Sequence, residues 1–238
     1  MNFIVSLPPN FFIINQKQIK MRINSEIRAL ARRELHDNWT NPVLATLIYT
    51  AISGACGSIP FASLLFAIPL GFGLSIAMLK FIRGDKDNVI DNMFGVFKTY
   101  GRTLGVSLLT AVFTFLWTLL FIIPGIIKHY SYAMTFYIAN DHPELSADDC
   151  IEESMKMMDG HKMDLFLLDL SFIGWALLCL LFTFGIGFLW LNPYIQASHA
   201  IFYKELKAEL YPEMEDADAS AFEEDMNNGT EFTAEFEN

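Results

Sequence analysis

Long apolar runs separated by short polar stretches dominate the chain from residue 42 to residue 202. Six segments can be read, over residues 42–58, 61–81, 103–123, 126–139, 163–184 and 187–202. At about 1.5 Å per residue, the third and fifth are long enough to cross a hydrocarbon layer of roughly 30 Å. The first, fourth and sixth are short. Each pair is joined by a brief Gly/Pro-containing link, Gly57-Ser58-Ile59-Pro60, then Pro124-Gly125, then Gly185-Ile186-Gly187. Irregular backbone has no water to bond inside a bilayer, so the pairs read as three helical hairpins that turn at its surface.

A polar-faced segment precedes each hairpin, with apolar residues at i, i+4 and i+7: Ile23/Ile27/Leu30, Ile90/Phe94/Phe97 and Ile151/Met155/Met158. That spacing predicts three amphipathic helices lying at the membrane interface. Ser146 and Asp149 fit a capping box at the start of the third. The second member of each hairpin also carries a related string, SIAMLKFI, SYAMTFYI and IQASHAIF, with Ala77, Ala133 and Ala197 in register. The pattern is that of an internal repeat of about sixty residues.

Basic residues orient the hairpins. Lys17, Lys20, Arg22, Arg28, Arg32 and Arg33 precede the first span, Lys80, Arg83, Lys86, Lys98 and Arg102 surround the loop between the second and third, and Lys156, Lys162, Lys204 and Lys207 flank the last hairpin. By the positive-inside rule all four regions are cytoplasmic, which puts both termini in the cytosol and leaves only Lys128 outside. The net charge of −11 does not oppose a membrane reading, because residues 211–238 hold ten acids and no base. Without them, 17 acids face 16 bases. The tail reads as an acidic, disordered cytosolic segment, and its Phe222, Phe232 and Phe236 give a protein partner something to hold. Residues 1–20, with Pro8-Pro9 and no basic n-region, read as a poorly ordered extension rather than a cleaved signal.

Candidate chemistry is sparse. Cys56, Cys150 and Cys179 form no CxxC and imply neither a disulfide framework nor a zinc site. No hydrolase, metalloprotease, P-loop or dinucleotide motif occurs, so the sequence points to no catalytic residue, metal or cofactor, and the basic first helix reads as a lipid binder rather than a nucleic-acid binder. Lys128 and His129 follow the Pro124-Gly125 link closely enough to be interfacial anchors, the lysine stem snorkelling outward. Asp164 falls at the cytoplasmic boundary, solvated or paired with Lys162, and Asp169 some 7–9 Å deeper at about 1.5 Å per residue. A carboxylate at that depth needs a partner, with Ser171, Gln196, His199 or a tyrosine in reach, or else it carries a proton or cation. Asn192, Gln196, His199 and Tyr203 share one face of the last helix. They form either a cavity lining or a set of interhelical hydrogen bonds.

The strings PGII..YSYAM, MMxGHK and LDLSFIGW, with FGIGFLWLNPYIQASHAIFYKELK, resemble those of domain of unknown function family 975, over about residues 21–210. The resemblance implies a multi-spanning protein of a bacterial inner membrane and supplies no activity. The expected architecture is all-α, with six membrane helices in three repeated hairpins, each preceded by an interfacial helix, in units of approximately 21–86, 87–145 and 146–210. Two functions are open. One is a non-enzymatic scaffold or regulator of envelope proteins, and the other is a small-solute or lipid transporter with a path near Asp169, Gln196 and His199.

Overall fold

A computed structural model describes residues 24–57, 63–120 and 122–211. The expected N-terminal extension, the first hairpin link and the acidic tail beyond Tyr211 lie, wholly or in large part, outside these residues. Among the described residues the fold is helical, with no strand. α1 covers residues 24–35. It is followed by α2 (Thr40–Gly57), a π turn (Ser63–Ala67), α3 (Ile68–Ile82), α4 (Val89–Phe94), a 3-10 turn (Gly95–Thr99) and α5 (Tyr100–Leu120). Then come α6 (Ile122–Ser131), α7 (Thr135–Asp141), α8 (Ala147–Met157), α9 (Lys162–Thr183) and α10 (Phe188–Leu210). The chain divides into two compact units, Met1–Phe202 and Tyr203–Asn238, with the boundary inside α10.

Three stretches are long and apolar enough to cross a membrane, Leu65–Ile82, Val89–Leu119 and Lys162–Thr183. Length and composition thus support three spans where six were expected. The others fall short for visible reasons. α2 carries Asn41, Thr46, Tyr49, Thr50 and Ser53. The segment 126–139 breaks at residues 132–134 into α6 and α7. α10 is diluted by Asn192, Pro193, Gln196 and His199.

The second hairpin also turns earlier than expected. α5 ends at Leu120 and α6 begins at Ile122, so Pro124 and Gly125 lie in the first turn of α6, not at the tip. Proline is tolerated there because a first-turn N–H has no helical acceptor. Gly125 is required by packing: a Cβ on it would stand 2.6 Å from Thr118 Cα on α5. The third link agrees with expectation, α9 ending at Phe184 (φ 48°) and Gly185 (φ 90°) in left-handed backbone before α10 starts.

The amphipathic segments pack on helices. α1 buries Ile27, Ala31 and Leu35, each at most 1% exposed. α4 with its 3-10 extension buries Val89, Met93 and Val96, one residue out of register with the expected Ile90/Phe94/Phe97 face. Phe94 is 37% exposed instead and stacks in a row with Phe97 and Tyr100, ring centres 6.2 and 5.9 Å apart. The register follows from one close approach, in which the Met93 carbonyl presses on Gly73 of α3 where a Cβ would come within 2.2 Å of it. α8 buries Ile151 and Met158 as expected, together with Cys150, Ser154 and Met157. The Ser146–Asp149 capping box is formed, with bonds of 3.2 and 3.3 Å.

Each of these helices docks on a hairpin other than the one it leads into. α4 packs on α2 and α3, and α8 on α5 and α7. α1 reaches the third hairpin, where Asn24 donates to the Asp164 carbonyl at 3.1 Å and Tyr194 donates to the Arg28 carbonyl at 3.1 Å.

The break between α6 and α7 is repaired from outside. It frees the Ser131 carbonyl and the Met134 N–H, which would otherwise sit among buried side chains. Ser154 of α8, itself fully buried, donates to the first at 2.9 Å and accepts from the second at 3.2 Å. Ser154→Ala strands both groups, so a loss of about 1–3 kcal/mol of stability is expected in denaturant titration of the detergent-solubilised protein. An unchanged midpoint would show that the break finds other partners.

Candidate functional site

Asp169 lies about two turns into α9, beyond Asp164 on the same helix. Both of its oxygens are engaged. Oδ1 stands 2.6 Å from His199 Nε2 on α10, and Oδ2 accepts a hydrogen bond from the Tyr130 hydroxyl on α6 at 3.1 Å. Tyr130 is held in turn edge-on by Phe166, ring centres 5.7 Å apart. Three helices therefore meet on one carboxylate. The cluster is not sealed, because the Asp169 and His199 side chains are 30% and 26% exposed.

Of the polar face on α10, only His199 joins Asp169. Gln196 Oε1 accepts from Ser75 of α3 at 3.3 Å, and Asn192 is half-buried on the same helix. Tyr203 begins the second compact unit. Ser171 bonds its own helix at Leu168. Asp164, expected to be solvated or paired with Lys162, faces His161, with Nδ1 to Oδ2 at 3.6 Å, and Lys162 faces Asp159 at 3.7 Å.

Lys128 does not simply reach outward. Its ammonium lies 5.2 Å from the Trp117 ring centre, 5.8 Å from that of Tyr132 and 3.5 Å from Met155 Sδ on α8. Those contacts join α6 to α5 through a cation–π contact with Trp117 and to α8 through the Met155 sulfur. His129 is exposed, its ring edge-on to Tyr130 at 5.4 Å.

A second polar place lies between α3, α4, α5 and α7, where a cavity of about 530 Å³ is lined by both charged and apolar side chains. On one side Asp85 accepts from Asn92 at 2.6 Å and Asn88 at 2.9 Å, and Asn92 accepts from Lys80 at 3.2 Å. The Asn92 hydrogen bond is the largest influence on the Asp85 carboxyl and, with the Asn88 bonds and the Lys80 charge, holds it below its ordinary value of 3.8 against the opposing effect of burial. Across the cavity, Arg102 donates to the carbonyls of Leu145 at 2.6 Å and His142 at 2.8 Å, tying α5 to the loop after α7.

A family model described as a protein of unknown function, DUF975, matches residues 21–129 and 119–209. The chain belongs to this family. No curated protein and no solved structure matches it.

In this DUF975 chain the sequence brought Asp169 and His199 into view and a tyrosine as one partner for the carboxylate, without singling out Tyr130. The cavity was not anticipated, since its lining runs from Phe72 to Pro143 and crosses three expected segments. A further pattern was readable: Thr99, Thr103, Ser107, Thr110, Thr114 and Thr118 follow one face at spacings of three and four. Ser107, Thr114 and Thr118 donate to the carbonyl four residues back, at 2.6, 2.8 and 2.8 Å, so these hydroxyls serve their own backbone.

Two outcomes are expected. A double-mutant cycle of Asp169→Ala with His199→Ala should give a coupling of about 0.6–1.7 kcal/mol, the range for polar pairs between membrane helices. Additive effects would mean that the two side chains do not hold α9 to α10. For Asp85, a lowered carboxyl stabilises the fold above the unfolded-state value and loses that contribution as pH falls below about 3.8. The drop in melting temperature between pH 6 and pH 3 should therefore be smaller in Asp85→Asn than in the wild type, and an equal drop would remove the network from any account of acid sensitivity.

Proposed function

We propose that this DUF975 protein is a multi-pass protein of a bacterial cytoplasmic membrane, with six membrane segments in three hairpins and both termini in the cytosol. In this reading it acts without enzymatic chemistry, as a scaffold or regulator of other envelope proteins. The basic residues support the topology, fifteen of sixteen lying on one side. The docking contacts support the repeat: Gly73 meets Met93, Ser131 meets Ser154 and Tyr194 meets Arg28. These positions lie two to four residues before Ala77, Ala133 and Ala197. In this reading the short segments complete their crossings as pairs, with Thr46 and Thr50 of α2 bonding the carbonyl four residues back in their own helix.

The observation that carries the functional reading is the engagement of the membrane-depth polar groups with one another. Asp169 is bonded to His199 and Tyr130, and Gln196 to Ser75, so these side chains join helices. A transport path requires the carboxylate and the α10 face to open on a shared space. The partial exposure of Asp169 and His199 is the feature that favours that alternative, a solute or lipid path in which the pair handles a proton. The acidic tail, residues 211–238, is the proposed docking segment for a protein partner.

Crosslinking in intact cells followed by purification in mild detergent, comparing the full chain with one ending at Tyr211, separates the readings. A specific partner recovered with the full chain and lost from the shortened one is expected. If both come out alone, and vesicles containing Asp169→Asn lose a solute flux that the wild type supports, the scaffold reading gives way to transport.

A further inference from the structure

The cavity beside α4 has the size of a small-molecule site, such pockets running from about 300 to 1,000 Å³. Its charges do not cancel. Lys80 and Asp85 are joined through Asn92 into a network that compensates itself. Arg102 is oriented by backbone carbonyls, which fix its guanidinium without neutralising it. Lys98 lines the same cavity from the exposed 3-10 turn and takes part in no ion pair among the described residues. Lys98 and Arg102 therefore face one further lining carboxylate, Asp91, while Glu144 feels the Arg102 charge from outside the lining. Part of the remaining wall is apolar, with Phe72, Ile76 and Val106 each no more than 6% exposed, beside the polar Thr99, Thr103 and Asn140.

We propose that this cavity binds a singly charged phosphodiester carrying an apolar portion, the phosphate toward Lys98 and Arg102 and the apolar part against Phe72, Ile76 and Val106. A guanidinium held in a fixed orientation suits phosphate oxygens, and a lysine supplies the mobile second charge. Asp91 sets the charge selected, because a carboxylate at the mouth disfavours a dianion while leaving a monoanion net attraction. The same chemistry is offered by a phospholipid headgroup and by a soluble phosphodiester. Basic pockets between membrane helices on the cytoplasmic side take headgroups. The membrane reading bears only on that choice of source, so a membrane-embedded chain that ignores phosphodiesters refutes this inference alone.

The test uses the full chain in detergent, titrated with dioctanoyl phosphatidylglycerol and followed by native mass spectrometry. Dioctanoylglycerol is the probe without phosphate, and glycerophosphoglycerol the probe without chains. Lys98→Gln, on an exposed position, should weaken phosphatidylglycerol about fivefold, the worth of one basic residue near a headgroup. Gly95→Trp should abolish it by filling the cavity. Gly95 lines that space in ordinary helical backbone (φ −55°), with nothing within 4 Å of a Cβ. If glycerophosphoglycerol competes as tightly as the lipid, the ligand is soluble and the phosphodiester assignment stands. If it fails to compete, the source is the membrane. The proposal is overturned if dioctanoylglycerol binds as well as phosphatidylglycerol. It is overturned equally if Lys98→Gln leaves binding unchanged, a result that decides the matter even where Gly95→Trp does not fold.

Discussion

A helix that stops among apolar side chains must find partners for the backbone groups it releases, and in this DUF975 chain that constraint organises the packing. The break at residues 132–134 leaves one carbonyl and one N–H buried, and a single serine from α8 satisfies both. Because the serine must be there, α8 must dock into the notch between α6 and α7 rather than lie on lipid. Its docking brings Met155 to the Lys128 ammonium, which also faces Trp117 on α5. The broken segment is thus a socket, and α8 is the piece that makes it tolerable in an apolar interior.

The other two amphipathic helices seat by different means. α4 relies on an absence, the missing side chain of Gly73, which lets the Met93 backbone approach α3. α1 relies on long polar side chains, Asn24 and Tyr194, that reach backbone carbonyls across the interface. Close approach and side-chain bridging are two ways of bringing helices together where lipid gives no hydrophobic drive between them. The carboxylate of Asp169, shared between Tyr130 and His199, is a third.

Much of this was legible in the chain itself. Apolar runs and Gly/Pro links located the long helices, and the Ser146–Asp149 box marked the start of α8 correctly. What periodicity could not supply was register. In the segment 89–97 the apolar residues come in adjacent pairs, Val89-Ile90, Met93-Phe94 and Val96-Phe97, so Ile90/Phe94/Phe97 and Val89/Met93/Val96 make two equally good faces. The choice falls to Gly73, a residue of another helix. The turn at Pro124-Gly125 was misplaced for a similar reason: proline and glycine are favoured at a tip, but proline is also at home in a first turn, and glycine at a tight crossing. His199 was one of several partners that the depth of Asp169 demanded, and spacing along α10 could not rank it above Gln196. The cavity was invisible because no single segment carries more than a fraction of its lining.

The seat of α1 lies far along the chain: Asn24 bonds a residue 140 positions later and Arg28 one 166 positions later. During synthesis at roughly 5–20 residues per second, α1 therefore waits on the order of ten to thirty seconds before its partners exist. Through that interval α1 has its ion pair from Glu34 to Lys86 but not the bonds of Asn24 and Arg28, and in the proposed membrane topology the bilayer surface is the natural temporary host. In that proposed topology the positive charges of Arg28, Arg32 and Arg33 would acquire a meaning in biogenesis, holding the first helix on anionic lipid until the residues that bond Asn24 and Arg28 are made.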